Sequence, residues 1–161
     1  IELLGGHVVL PSYCPLFLLR VAVGLGRVLP VGIDTPEAHA IHRGIEGIRL
    51  ARPLTHDLIV NLLDELEATV ISVQVTELRE RTFFAEIELE VAGQKQTISA
   101  RPSDAIAIAV RTETAIYASE EVLAEAGQMI EGHDAEGDDG DPDELLDEFK
   151  QFLDDVNPDD F

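Results

Sequence analysis

The stretch "TFFAEIELEV", residues 82–91, sets Phe83, Ala85, Ile87, Leu89 and Val91 against Phe84, Glu86, Glu88 and Glu90. A period of two with carboxylates on one side predicts a strand with one wet face and one face in a core. "ATVISVQVTEL" (68–78) precedes it and places Ile71, Val73 and Val75 on one expected inner face. Ala92-Gly93-Gln94-Lys95 reads as a turn into a third strand, Gln96 to Ala100. The chain is therefore built on a sheet whose apolar side needs a cover.

Helices supply the cover. "SARPSDAIAIAVR" (99–111) leads from the third strand into a helix from about Pro102 to Arg111, whose apolar run "AIAIAV" is its core side. Pro102 suits a first helical turn, and Ser103 and Asp104 are expected to accept hydrogen bonds from the free N–H groups there. Ala115 to Ala118 reads as a short extended piece, and Ser119-Glu120-Glu121 starts a helix that Gly127 ends.

The first half repeats the order. Val8 to Leu10, Leu16 to Val23 and Gly26 to Ile33 read as strands. Thr35-Pro36-Glu37 opens a helix to about Ile45, and Thr55 is expected to cap another from His56 to Leu66. The expectation is an α+β fold of duplicated β3α2 repeats, with one barrel-like mixed sheet and the helices outside. Closing the sheet around a pseudo-twofold would remove its edges.

At 161 residues this makes one domain, over 1–127, with an appendage. Residues 128–143, ending in "GHDAEGDDGDPD", read as an acidic linker with nothing to bury. In 144–161 helical spacing returns, with Leu145, Phe149, Phe152, Leu153 and Val156 on one face. So short a helix is marginal alone, and its stripe should dock on the body or on a neighbouring subunit.

Charge limits the partners. The chain has 32 acidic residues against 11 basic ones, a net −21, and only Lys95 and Lys150 are lysines. Such a surface either repels polyanions or belongs to a cell with a molar-salt cytoplasm, where the Debye length is about 3 Å and the repulsion is screened. Scarce lysine beside nine arginines favours the salt-adapted reading. Cys14 is the sole cysteine, which fits a reducing cytoplasm. The apolar stretch 8–26 is interrupted by Pro11, Pro15 and Arg20, so no membrane span is expected, and with no basic leader before it no signal peptide is expected.

Two short patterns carry the candidate chemistry. In "RPLTHDL" (52–58), Asp57 suits a helix start, but the same end of the dipole disfavours a cationic His56. A neutral histidine beside a carboxylate can serve as general base toward water. "RPSDAIAIAVR" (101–111) has the same order: Arg-Pro, a hydroxyl residue, then an aspartate. Paired Arg-Pro helix starts point to one shared site in which Arg52 and Arg101 hold an anion alongside backbone N–H groups. The bland alternative is internal pairing of Arg52 with Asp57 and of Arg101 with Asp104. His39 and His42 lie three apart with Glu37 before them, a spacing that permits a metal but completes no known ligand pattern, so unliganded histidines are the simpler reading. There is no Gly-rich phosphate loop, no G-x-S-x-G, no tryptophan and few aromatics.

"RPLTHDLIVNLL", "TFFAEIEL" and "ARPSDAIAIAVR" followed by "AIYASEEVL" resemble the bifunctional nuclease (DNase/RNase) domain family, and "LPVGIDTPEAHAI" is similar to another of its segments. The likeness runs from about Gly26 to Ala126, and "LDEFKQFLDDVNPDDF" resembles the end of bacterial members. Gly32 and Asp34 depart from the pattern, and the first 25 residues match poorly. The resemblance implies a duplicated fold that assembles as a homo-oligomer and hydrolyses phosphodiesters of DNA and RNA. Its motif positions here are Glu37, Arg52, Thr55, His56, Asp57, Arg101, Ser103, Asp104 and Arg111. On that basis His56, Asp57, Asp104 and Glu37 are catalytic candidates. Arg52, Arg101, Arg111, Ser103 and Thr55 are phosphate-binding candidates, and Asp57 and Asp104 are candidates for holding Mg²⁺ or Mn²⁺. The rival expectation is a non-enzymatic oligomeric scaffold or a module binding a small ligand or anion, supported by the acidic body and the lack of a catalytic signature.

Overall fold

The computed structural model describes residues 2–9, 16–22 and 27–129. Within them the order is β1 (Glu2–Val9), β2 (Leu16–Val21), β3 (Arg27–Gly32), α1 (Thr35–Ile45), α2 (Thr55–Glu65) and β4 (Ala68–Arg79). Then come β5 (Thr82–Val91), β6 (Gln94–Ala100), α3 (Pro102–Thr112), β7 (Ile116–Ala118), α4 (Glu120–Ala126) and β8 (Gln128–Met129). The expected linker from residue 130 onward and the C-terminal helix lie outside the described residues, as does Leu10 of the first expected strand.

The alternating strands form an antiparallel meander, β4-β5-β6. Its hairpins turn on Glu80-Arg81, with φ of 49° and 63°, and on Ala92-Gly93, with φ of 50° and 75°. Two central residues in the left-handed region are what a type I′ turn requires, and that turn matches the twist of the strands. The second turn is thus shorter than the sequence predicts: Gln94 and Lys95 already belong to β6, opposite Val91 and Glu90.

Alternation also fails, at two places in β4, Val70/Ser72 and Val75/Glu77. The register of β4 against β5 shifts between Val70 and Ser72. Ile71 is exposed there, while Val73 and Val75 are fully buried. The expectation that all three share the inner face is corrected: an extra residue in one strand reverses the alternation beyond it.

The strands form one ladder in the order β6-β5-β4-β7-β1-β2-β3-β8. The two meanders lie on either side of β7, which runs antiparallel to β1 and parallel to β4. The architecture is α+β. No closed barrel is found among the described residues, because β6 and β8 end the ladder without pairing to each other. β8 is two residues long, and β6 is exposed apart from half-buried Ala100 and carries Gln94, Lys95 and Gln96. Short and polar strands of this kind are how open sheets blunt their edges.

α3 covers the sheet. Pro102, Ser103 and the whole run Ala105–Ala109 are buried, packed with Val73, Val75, Ala85, Ile87 and Leu89. Alternating alanines keep the helix close enough for a second one to lie against it. At Gly44 of α1 a Cβ would come 2.5 Å from Val110 Cγ2, so α1 approaches α3 where only glycine fits without a shift. α4 follows Ser119, whose Oγ accepts from Val122 N–H at 3.1 Å. No helix among the described residues is long and apolar enough to cross a membrane.

Candidate functional site

The beginnings of α1, α2 and α3 converge beside the end of β6 around a cleft of about 880 Å³. It is lined by Glu37, His39, Thr55, His56, Arg101 and Asp104, and by an apolar floor of buried Ile87, Leu89 and Ile108, with Ile59 and Leu63 half-buried and Ile98 at the exposed edge. Three helix N-termini add partial positive charge to this mouth.

The helix starts are not capped as the sequence predicts. The residue before α2 is Leu54, and Thr55 is already helical, with no side-chain cap. Asp57 Oδ2 instead reaches back and accepts from Leu54 N–H at 2.9 Å. Before α3 stands Arg101, again with no side-chain cap. The Asp104 carboxylate turns away from its own helix start because two stronger donors claim it.

Those donors build the site. Arg101 donates from Nε to Asp104 Oδ2 at 2.7 Å and from its NH2 nitrogen to Asp104 Oδ1 at 3.1 Å. The same NH2 nitrogen donates to Glu37 Oε1 at 2.8 Å, 64 residues away. His56 Nε2 lies 3.1 Å from Asp104 Oδ1. A chain Glu37–Arg101–Asp104–His56 thus links three helices. Arg101 remains 61 % exposed, so its guanidinium faces solvent while two carboxylates fix it. Glu37 Oε2 is buried and has no hydrogen-bond partner among the described residues. A desolvated carboxylate oxygen without a donor is costly, and such atoms need an explanation.

Burial alone would raise the Asp104 carboxyl, but the hydrogen bonds and charges of Arg101 and His56 outweigh it and hold the group below the ordinary carboxylate range. Arg101 is raised in turn, chiefly by Asp104 and then Glu37.

Asp57 and Arg111 form a second pair outside this chain. Arg111 Nε donates to Asp57 Oδ1 at 2.6 Å, and its NH1 nitrogen donates to the Ala107 carbonyl at 2.7 Å. Arg111 is largely buried, and its hydrogen bond is the main cause holding the Asp57 carboxyl low. Of the expected internal pairs, Arg101–Asp104 forms, whereas Arg52–Asp57 does not. Arg52 is exposed and has no partner among the described residues, since Asp57 spends its oxygens on Leu54 and Arg111.

Ser103 is buried and does not line the cleft. Thr55 lines it. His39 and His42 are exposed, and only His39 reaches the cleft. Among the described residues no three His, Cys, Asp or Glu side chains come together so as to hold a metal ion. Sequence reasoning missed the Glu37–Arg101 contact and the apolar floor. Neither leaves a local signal, because both join elements far apart in the chain.

The bifunctional nuclease domain matches residues 17–131, most of the chain. The chain belongs to the bifunctional nuclease domain family. Two uncharacterised proteins of Mycobacterium tuberculosis are 40 % identical over 162 residues, covering 100 % of this chain and 96 % of theirs. Bifunctional nuclease 2 of Arabidopsis thaliana is 28 % identical over 131 residues, 78 % of this chain but 39 % of the plant protein. Bifunctional nuclease 1 of the same plant matches at 28 % as well. The bifunctional nuclease match takes in all three helix starts of the cleft.

Proposed function

We propose that this member of the family is a cytoplasmic, homo-oligomeric nuclease that hydrolyses phosphodiester bonds of DNA and RNA in the cleft at the three helix starts. The observation that carries the reading is the Glu37–Arg101–Asp104–His56 chain, with Glu37 Oε2 buried beside it and lacking a donor. Asp104 fixes the imidazole of His56 through Nε2. With the hydrogen on that bond, Nδ1 is left to take a proton from attacking water. Arg101, already oriented, presents its remaining N–H groups to a phosphate oxygen, and the helix N-termini favour the same charge. Glu37 Oε1 keeps Arg101 in that orientation.

A resident metal does not fit the residues present, which never gather three ligands among the described residues. Mg²⁺ or Mn²⁺ fits instead as an ion carried on substrate phosphates and met by one or two carboxylates, the usual Mg²⁺ mode. In this reading Asp57 and Arg111 hold α2 against α3, and Arg52 meets the phosphate backbone from outside the cleft. The mirrored meanders derive, in this reading, from a duplicated three-strand unit.

Net charge is the difficulty, and molar salt removes the repulsion while weakening phosphate contacts as well. The test is cleavage of labelled single-stranded DNA and RNA in molar KCl with Mg²⁺, Mn²⁺ or EDTA, by the unaltered protein and by folded Asp104→Ala. Cleavage lost in the variant supports the site. Equal cleavage by both, or none by either, removes it. The apolar floor favours a second reading, a module that binds a small apolar anion without turning it over, and that is where an inactive protein would point.

A further inference from the structure

α2 is a helix with no buried residue. Ile59, Val60 and Leu63 pack partly on the core, but Leu58, Leu62 and Leu66 are 48 %, 52 % and 70 % exposed, and Leu54, 37 % exposed, continues their row to the edge of the cleft. They recur every four residues, so they form one stripe along the helix. Ile48 and Leu50 in the preceding loop are apolar as well and each nearly half exposed. A contiguous strip of this kind, unlike scattered surface leucines, marks a docking face. Arg43, Arg49 and Arg52 belong to the same stretch and have no partner among the described residues, in a protein of net −21.

We propose that residues 144–156 of the chain itself occupy this strip. They are the remaining segment whose apolar residues recur at helical spacing, Leu145, Phe149, Phe152, Leu153 and Val156, and that helix is too short to stand alone in water. Charge agrees at the loop end of the strip, where Arg43, Arg49 and Arg52 outnumber Glu46 and residues 144–161 bring seven carboxylates and one lysine; Asp64, Glu65 and Glu67 stand at the other end. A second copy docked strip to strip would bring the arginine borders together instead. Length agrees too. Residues 130–143 span about 45 Å when extended, against a radius of gyration of about 14 Å for a domain this size. The bifunctional nuclease match stops at residue 131, yet the match to the mycobacterial proteins spans all of this chain, residues 144–156 included.

Hydrogen exchange on the full-length protein tests this, read by mass spectrometry in molar KCl. Three proteins are compared: unaltered, Phe149→Ser/Phe152→Ser, and Leu58→Ser/Leu62→Ser. In the unaltered chain, amides 145–156 should exchange at least roughly tenfold slower than an open coil. Both double variants should abolish that protection, with β5 amides unchanged as the control on folding. The tail variant, which leaves the described domain untouched, should also speed exchange in α2, and it decides the matter if the leucine variant fails to fold. Coil-rate exchange at 145–156 in the unaltered protein overturns the proposal, as does protection that survives Leu58→Ser/Leu62→Ser. A strip variant that lowers the mass in solution, where the tail variant does not, assigns the face to a second copy and likewise overturns it.

Discussion

Arg52-Pro53 before α2 and Arg101-Pro102 at the start of α3 are nearly the same words, each followed by a hydroxyl residue and an aspartate. Arg101 is held by Asp104 and Glu37, and Asp104 also meets His56. Arg52 stands in solvent, and its aspartate has turned to Arg111. The helices differ as much: α3 buries seven of its residues, α2 none. A local pattern selects a helix start, but what its charged groups do depends on the carboxylates and cations that other elements bring within reach. Glu37 comes to α3 from α1; among the described residues nothing equivalent comes to Arg52.

The comparison breaks most sharply at Asp104. Asp104→Asn should lower phosphodiester hydrolysis by about 10²–10⁴-fold, the usual worth of a positioned acid–base pair, with the fold intact by circular dichroism. Equal activity would put the two helix starts on the same footing. Next is burial. Ile106→Ala in α3 should cost about 3–4 kcal/mol in a urea titration, because the side chain is fully buried among close neighbours. A cost under about 1 kcal/mol would mean α3 is not the central cover.

Arg111→Ala should cost about 2 kcal/mol, since it strips a charge-assisted hydrogen bond from the half-buried Asp57. The pH dependence follows from the same pair. Asp57 and Asp104 are both held below their ordinary value of 3.8, so the folded state binds protons less readily than the unfolded chain. Their contribution is therefore fully present above about pH 5 and is lost as pH falls below 3.8 through the folded values. In acid titrations Arg111→Ala should show a shallower loss than the unaltered protein, and an unchanged profile would remove the pair as its cause. Smallest of all, Arg52→Ala should shift stability by less than about 0.5 kcal/mol, because an exposed cation contributes little even beside a surface carboxylate. A larger loss would show that Arg52 is held as firmly as Arg101.

Much of the fold was legible because its signals are local. Glutamates at every second position of 86–90 marked β5, and Pro102 and Ser119 marked helix starts. Ile71 defied the pattern because a bulge is a property of two strands in register, which one strand's sequence does not encode. Thr55 was passed over as cap because Asp57, two residues on, could satisfy Leu54 N–H and Arg111 together. At the site, His56, Asp104 and Arg101 were visible as polar residues out of place before apolar helices. Glu37 was visible only as a position in a motif.

By itself the sequence determined the periods, the helix starts and the acidic surface, all set by interactions within a few residues or by composition. Only the tertiary structure decided which arginine meets which carboxylate, where the sheet ends, and that the floor of the cleft is apolar. Those outcomes depend on contacts between residues 48 to 64 positions apart, such as Glu37 with Arg101, whose attraction acts over a few ångströms and exists only once the helices have packed.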